Sequence, residues 1–270
     1  MCELLAISSL RPTRLTFSLE SLASHSGLDS TTRDGWGAAF YQGNDVALFR
    51  EPGSARDSPL VQFLQTQGPS TTLAISHIRR ATLGEITLAN TQPFVRELAG
   101  RTHVFAHNGH LPGIAQAHAF RLEHFAPVGE TDSEHAFCAL MQRLGDIWNH
   151  SFESPNLENR LALIVDFAAD LRKLGPANFL YSDGEILFVH GHRRIQQPSG
   201  LIEPPGLFML SRKCSNDREP VSTRGLSIGC GFQEVTLVAS VPLSNESWLP
   251  LAEGEILAVS EGKVIARNRP

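Results

Sequence analysis

Apolar and polar positions recur with a period of two in some stretches of this chain and near 3.6 in others, and the two periods mark out its elements. Residues 2–9 (CELLAISS) read as a strand. Residues 15–26 read as an amphipathic helix that sets Leu15, Leu19 and Leu22 on one face and stops at Gly27. The run GWGAAFYQGNDVALFREPG alternates into and out of a turn at Gly43-Asn44-Asp45, a hairpin signal. Strands follow at 71–78 and 102–107. A helix then opens on a capping box, Thr131 to Glu134, and carries Phe137, Leu140, Met141 and Leu144 along one stripe. A second helix, 157–174, turns Leu157, Leu161, Ile164, Val165, Ala168 and Leu171 inward, with Gly175-Pro176 as its stop.

The last third returns to strands: a hairpin about Ser182-Asp183-Gly184, a buried strand at VTLVAS, and another hairpin in EILAVSEGKVIAR. Strands, then two helices, then strands again, without strict βαβ alternation, predict an α+β fold with largely antiparallel sheets. No repeat or linker divides residues 1–270, which read as one domain. The Pro/Gly/Ser-rich stretch 192–231 is the least regular part and is expected to carry long loops.

Composition narrows the function classes. The chain has 270 residues, 41% hydrophobic and 19% charged, enough for a sizeable core. Its formal net charge of −5, with no Lys/Arg run longer than two, argues against a nucleic-acid surface. The apolar runs fall short of the roughly 20 residues of a membrane span. Cys2, Cys138, Cys214 and Cys230 lie far apart with no CxxC, so neither zinc nor a disulfide framework is suggested, and a reducing cytoplasm is the expected compartment. No cofactor is implied. A small-molecule partner fits best.

A thiol stands directly behind the initiator methionine. Such methionines are commonly removed when the second residue is small, which would leave a free amine and a thiol on Cys2. Four further stretches carry candidate chemistry: RDGWG (33–37), SHIRRATLG with NTQPF (76–84 and 90–94), HNG (107–109) and GETDSE (129–134). Taken singly, each could serve a turn, a strand end or a helix dipole.

Taken in this order behind Cys2, they resemble class II glutamine amidotransferases, in particular the stand-alone YafJ-type members. The resemblance spans most of the chain, because YSDGEILF and VASVPLSNESW also look like that family's C-terminal half. It implies an N-terminal nucleophile (Ntn) hydrolase fold, a four-layer αββα sandwich with two antiparallel sheets. It implies catalysis by Cys2, whose thiol is the nucleophile and whose α-amine, with an ordinary pKa of ~7.7–8.0, is a usable base at neutral pH. The oxyanion donors are then the side-chain amide of Asn108 and the backbone N–H of Gly109. By the same resemblance Arg79 takes the substrate α-carboxylate and Asp132 the α-ammonium. Gly35, Trp36 and Thr82 complete the substrate site, with Trp36 and the 192–231 segment walling its leaving-group side. Arg80 is left structural. Leu83 and Gln92 stand where the broader family often has His, and no role is assigned to either.

The implied reaction is hydrolysis of the γ-glutamyl amide bond of glutamine or a γ-glutamyl compound. Large relatives carry a synthase domain for which this chain has no room, so a separate synthase partner is the alternative. A non-catalytic glutamine sensor would keep Arg79 and Asp132 but would need neither Cys2 nor Asn108-Gly109. Metal ligation by His103, His107 and His110 is disfavoured, since their spacing of four then three suits a helix face while the stretch reads as strand and turn.

Overall fold

A computed structural model describes residues 2–14, 35–55, 58–79, 85–148, 154–214, 221–223, 226–228 and 233–270. The expected helix at 15–26 and Thr82 lie outside the described residues. Before the long helices run β1 (Glu3–Arg14), β2 (Trp36–Gln42), β3 (Asp45–Glu51), α1 (Pro59–Gln67), β4 (Ser70–Ile78), β5 (Phe94–Leu98) and β6 (Arg101–Gly109). The helices α2 (Asp132–Trp148) and α3 (Leu157–Arg172) follow, then β7 (Ala177–Ser182) and β8 (Leu187–His190). After them come β9 (Arg194–Ile195), β10 (Ile202–Glu203), β11 (Phe208–Cys214), β12 (Val221–Thr223) and β13 (Leu226–Ile228). The chain closes with β14 (Gln233–Ala239), β15 (Leu249–Pro250), β16 (Ile256–Ser260) and β17 (Lys263–Asn268).

Two sheets dominate, ordered β15-β11-β14-β1-β4-β2-β3 and β17-β16-β8-β7-β6-β5. Their pairings are antiparallel. Alternation along each strand sorts the core into three layers. Leu4, Ala6, Leu73, Ile75 and Val238 of one sheet meet Val104, Ala106, Leu180 and Leu257 of the other between the sheets. Phe105, Phe179 and Ile256 face outward onto α2 and α3. Leu5, Ile7, Trp36 and Phe40 face the opposite way, onto Val61 and Leu64 of α1. The result is helix, sheet, sheet, helix, the αββα sandwich expected.

Both long helices end close to their predicted limits. Helix α2 has the first half of the capping box, Glu134 N–H donating to Thr131 Oγ1 at 3.2 Å. The Glu134 carboxylate does not return the bond; it accepts from Gly129 N–H at 2.7 Å and pairs with Arg96 at 2.6 Å. The 192–231 stretch is more regular than expected, because β11 runs through it and pairs with β14 over seven residues. No helix among the described residues is long and apolar enough to cross a membrane.

Candidate active site

The catalytic candidates converge at one end of the inter-sheet layer, and strand alternation explains why. Cys2 precedes β1 on the face of Leu4 and Ala6, and Asn108 lies on β6 on the face of Val104 and Ala106. Two strands of different sheets therefore turn these side chains toward each other. Asn108 Nδ2 donates to the Cys2 carbonyl oxygen at 2.6 Å. Cys2 itself is half-buried and Asn108 is buried.

The register of β1 on β4 pairs Glu3 with Ile78, which sets Arg79, the next residue, beside Cys2. Arg79 is buried; its N–H donates to the Gly35 carbonyl at 2.8 Å and its Nη1 to the Glu85 carbonyl at 3.1 Å. Asp132 is the first residue of α2, where the helix dipole favours an anion. Its Oδ2 accepts Leu111 N–H at 2.7 Å and lies 3.5 Å from His110 Nδ1, while Oδ1 accepts the Ser133 hydroxyl at 3.2 Å.

Cys2, Arg79, Gly109 and Asp132 all line one cavity of about 390 Å³. The rest of its wall comes from Gln92 and His107, from the 110–116 turn and from 127–135. Gly109 is required by close approach: a Cβ there would stand 1.8 Å from the Pro176 carbonyl oxygen and 2.7 Å from His107 Nε2.

Two assignments do not fit this geometry. Trp36 is wholly buried on the α1 face of its sheet, with Ala38 and Phe40, and donates Nε1–H to Glu51 at 3.0 Å. It faces away from the inter-sheet layer and forms no part of the cavity wall, and no described residue of 192–231 lines the cavity either. Beyond Cys2, Arg79, Gln92, His107 and Gly109, the wall is made by 110–116 and 127–135. Gly35 acts through its backbone, accepting from Arg79 at φ +133°.

The sequence reading gave no role in the site to two residues here. Gln92 brackets the His107 backbone, Nε2 donating to its carbonyl at 3.1 Å and Oε1 accepting its N–H at 2.6 Å. It thus continues the sheet beside β6 where β5 has not begun. His107 is buried against α2, with Nδ1 2.8 Å from Ser133 Oγ. Burial holds its pKa below the ordinary value, so the imidazole is neutral at pH 7. His103 is paired with Tyr181 at 2.8 Å and is not part of the cavity. Among the described residues no group of three or more His, Cys, Asp and Glu could hold a metal.

A family model for class-II glutamine amidotransferases matches residues 1–270, and the chain belongs to that family. YafJ of Escherichia coli strain K12, assigned as a glutamine amidotransferase by inference, is 33% identical over 256 residues, 94% of this chain and 96% of its own length. A Haemophilus influenzae protein of the same inferred assignment is 30% identical over 268 residues, covering 98% of this chain and 86% of its own. The crystal structure of a predicted glutamine amidotransferase from Pseudomonas aeruginosa superposes with a TM-score of 0.71 at 30% identity, covering 98% of this chain and 100% of that one. The glutamine phosphoribosylpyrophosphate amidotransferase of B. subtilis matches at a TM-score of 0.59 and 18% identity over 99% of this chain and 49% of that one, a likeness of fold. The fold is that of the Ntn hydrolases. The family's general activity is hydrolysis of the glutamine side-chain amide or transfer of its ammonia.

Proposed function

We propose that this chain cleaves the γ-glutamyl amide bond of glutamine or a larger γ-glutamyl compound through a γ-glutamyl thioester on Cys2. The observation that carries the reading is the 2.6 Å bond from Asn108 Nδ2 to the carbonyl of Cys2, a residue that lines one cavity together with Arg79, Gly109 and Asp132. A side-chain amide has two N–H donors, so this bond leaves the second for an oxyanion.

In the proposed reaction the Cys2 α-amine takes the thiol proton, and the thiolate attacks the γ-carbonyl carbon. The electron pair displaced onto oxygen is held by Asn108 Nδ2–H and Gly109 N–H. Collapse breaks the C–N bond, the leaving nitrogen takes the proton back from the α-ammonium, and ammonia or an amine departs. Water, deprotonated by the same amine, then attacks the thioester and releases glutamate and the thiol. Arg79 matches the α-carboxylate as a planar fork, and Asp132 meets the α-ammonium.

The cavity supports a leaving group larger than ammonia. Its volume lies in the range of small-molecule sites, and the clamp assigned to Arg79 and Asp132 addresses the α-amino-acid end of the substrate.

The test is glutamate release from glutamine and a panel of γ-glutamyl peptides and thiol conjugates, together with labelling by a diazoketone glutamine analogue. The expected result is a single adduct at Cys2 on a polypeptide whose intact mass lacks Met1. At least one γ-glutamyl conjugate should match or exceed glutamine in kcat/KM. Labelling at Cys138 instead, or full activity with Met1 retained, would overturn the mechanism. Hydrolysis of glutamine alone, and only with an added partner protein, would make the chain an ammonia-donating subunit.

A further inference from the structure

Resting on the reading of Cys2 as nucleophile and Asn108 as oxyanion donor, we propose that Asn178 and Arg194 are positioning residues. Through the segment 192–194 they hold those two groups against each other across the sheets.

Cys2 and Asn108 belong to different sheets, and no backbone ladder joins β1 to β6. Apolar packing between the layers is not directional, so it does not by itself define a contact of hydrogen-bond length. With Met1 removed, Cys2 is held through Glu3 and Leu4, which the β1–β4 ladder fixes within their own sheet, so a hold across to β6 needs a further tie.

A polar chain supplies that hold. Asn178, wholly buried and paired with Asn108 in the β6–β7 ladder, uses its whole side-chain amide. Nδ2 donates to the Asn108 carbonyl at 3.1 Å and to the Arg193 carbonyl at 2.7 Å, and Oδ1 accepts His192 N–H at 2.7 Å. Gly206 leaves the room this amide occupies, since a Cβ there would fall 1.7 Å from Asn178 Oδ1.

The next residue turns the other way. Arg194, itself buried, forks onto the buried Glu3 carboxylate, Nη2 to Oε1 at 3.0 Å and Nη1 to Oε2 at 3.5 Å. Its Nη1 also donates to the Ser240 carbonyl. Ser240 in turn grips Leu4, its hydroxyl accepting Leu4 N–H and its own N–H donating to the Leu4 carbonyl, each at 3.0 Å. One three-residue segment is thus tied to the oxyanion donor through Asn178 and to the nucleophile's neighbour through Arg194. Because Asn178, His192, Arg194, Glu3, Leu4 and Ser240 are buried, the exposed Arg193 lending only its carbonyl, loosening one end leaves an unpaired polar group, which makes the tie stiff.

The experiment makes Asn178→Ala and Arg194→Ala singly and each combined with Asn108→Ala, with Arg194→Lys and Glu3→Gln as milder variants. Each single alanine should lower kcat about 10²-fold, the scale of a misplaced or lost oxyanion donor. KM should change by less than about threefold. In the Asn108→Ala background the further loss should shrink below about threefold, because the donor being positioned is already gone. Arg194→Lys should recover part of the loss.

Full additivity with Asn108→Ala, or a rise in KM at unchanged kcat, would overturn the proposal. If an alanine variant does not fold, Glu3→Gln and Arg194→Lys decide by the same split of kcat from KM. Hydrogen exchange of residues 2–5 and 105–110 reads the tie without turnover and should rise in Asn178→Ala and Arg194→Ala. Unchanged exchange in a folded variant would also overturn it. If the parent chain hydrolyses no γ-glutamyl compound, the chemical reading of the site fails, while exchange still decides the tie.

Discussion

In the proposed mechanism Asn108 and Arg79 adjoin the same nucleophile but have different work to do. There the donor on Asn108 would matter most once charge has moved onto the carbonyl oxygen, whereas the guanidinium of Arg79 would meet a carboxylate that is charged before and after reaction. Asn108→Ala is therefore expected to lower kcat by about 10²–10³ with little change in KM. Arg79→Lys, which replaces a fork by a point charge, should chiefly raise KM. Steady-state kinetics of the two variants checks this, and equal effects on both parameters would contradict the roles. Gly109 is constrained by space alone. A Cβ would meet the Pro176 carbonyl at 1.8 Å, and backbone cannot swing aside as a side chain does. Gly109→Ala should destabilise by about 1–3 kcal/mol in urea unfolding and lose most turnover.

At the scale of the element, the first turn of α2 does several jobs at once. Thr131 caps the helix, Asp132 reaches the Leu111 N–H, Ser133 meets His107 and Glu134 binds Arg96 and Gly129. Thr131→Ala removes the cap and should cost about 1 kcal/mol. Thermal unfolding would show this as a fall of about 2–4 °C, accompanied by a higher KM as Asp132 loosens. The helix was legible because its apolar stripe, Phe137 to Leu144, repeats at helical spacing over about two turns and its cap residues are local in sequence. Helix α1 was not, although Ser58 caps it through Val61 N–H at 3.1 Å and Pro59 opens it. It has only nine residues and buries two, Val61 and Leu64, too few for a period to show. The strand β11 was hidden for another reason: Ser211, Arg212 and Lys213 are polar, and its pairing partners on β14 begin more than ten residues later.

Over the whole molecule, burial sets the response to acid. His77, His103 and His190 are buried, and desolvation, the largest cause for each, lowers their pKa from 6.5 to about 3, about 4 and about 3. Above pH 6.5 they are neutral whether folded or unfolded and contribute no pH dependence. Below it the unfolded chain binds protons that the folded chain refuses, so stability falls as pH drops from 6.5 toward 4. The slope is about 1.4 kcal/mol per pH unit for each histidine. Urea unfolding at pH 7, 6 and 5 should show this steepening loss. Among the described residues neither ring nitrogen of His77 has a hydrogen-bond partner, so His77→Leu should cost little at pH 7 and flatten the acid slope. An unchanged slope in that variant would rule His77 out as a contributor.

The chain by itself determined the elements whose signals are local: strand alternation, the stripes of α2 and α3, the cap at Thr131. It also showed the ordered motifs around Cys2, Arg79, Asn108-Gly109 and Asp132 that mark the family. Tertiary structure decided what depends on direction and on distant partners. Which face of its sheet Trp36 takes follows from strand pairing, and that face belongs to the core and not to the cavity. Likewise Asn178 and Arg194 carry no local motif, and the NTQPF motif gave Gln92 no role. The hydrogen bonds of Gln92, Asn178 and Arg194 reach residues 15, 70 and 191 positions away; those of Gln92 and Asn178 exist only once distant strands have paired beside β6, and that of Arg194 to Glu3 only once the chain has folded back onto β1.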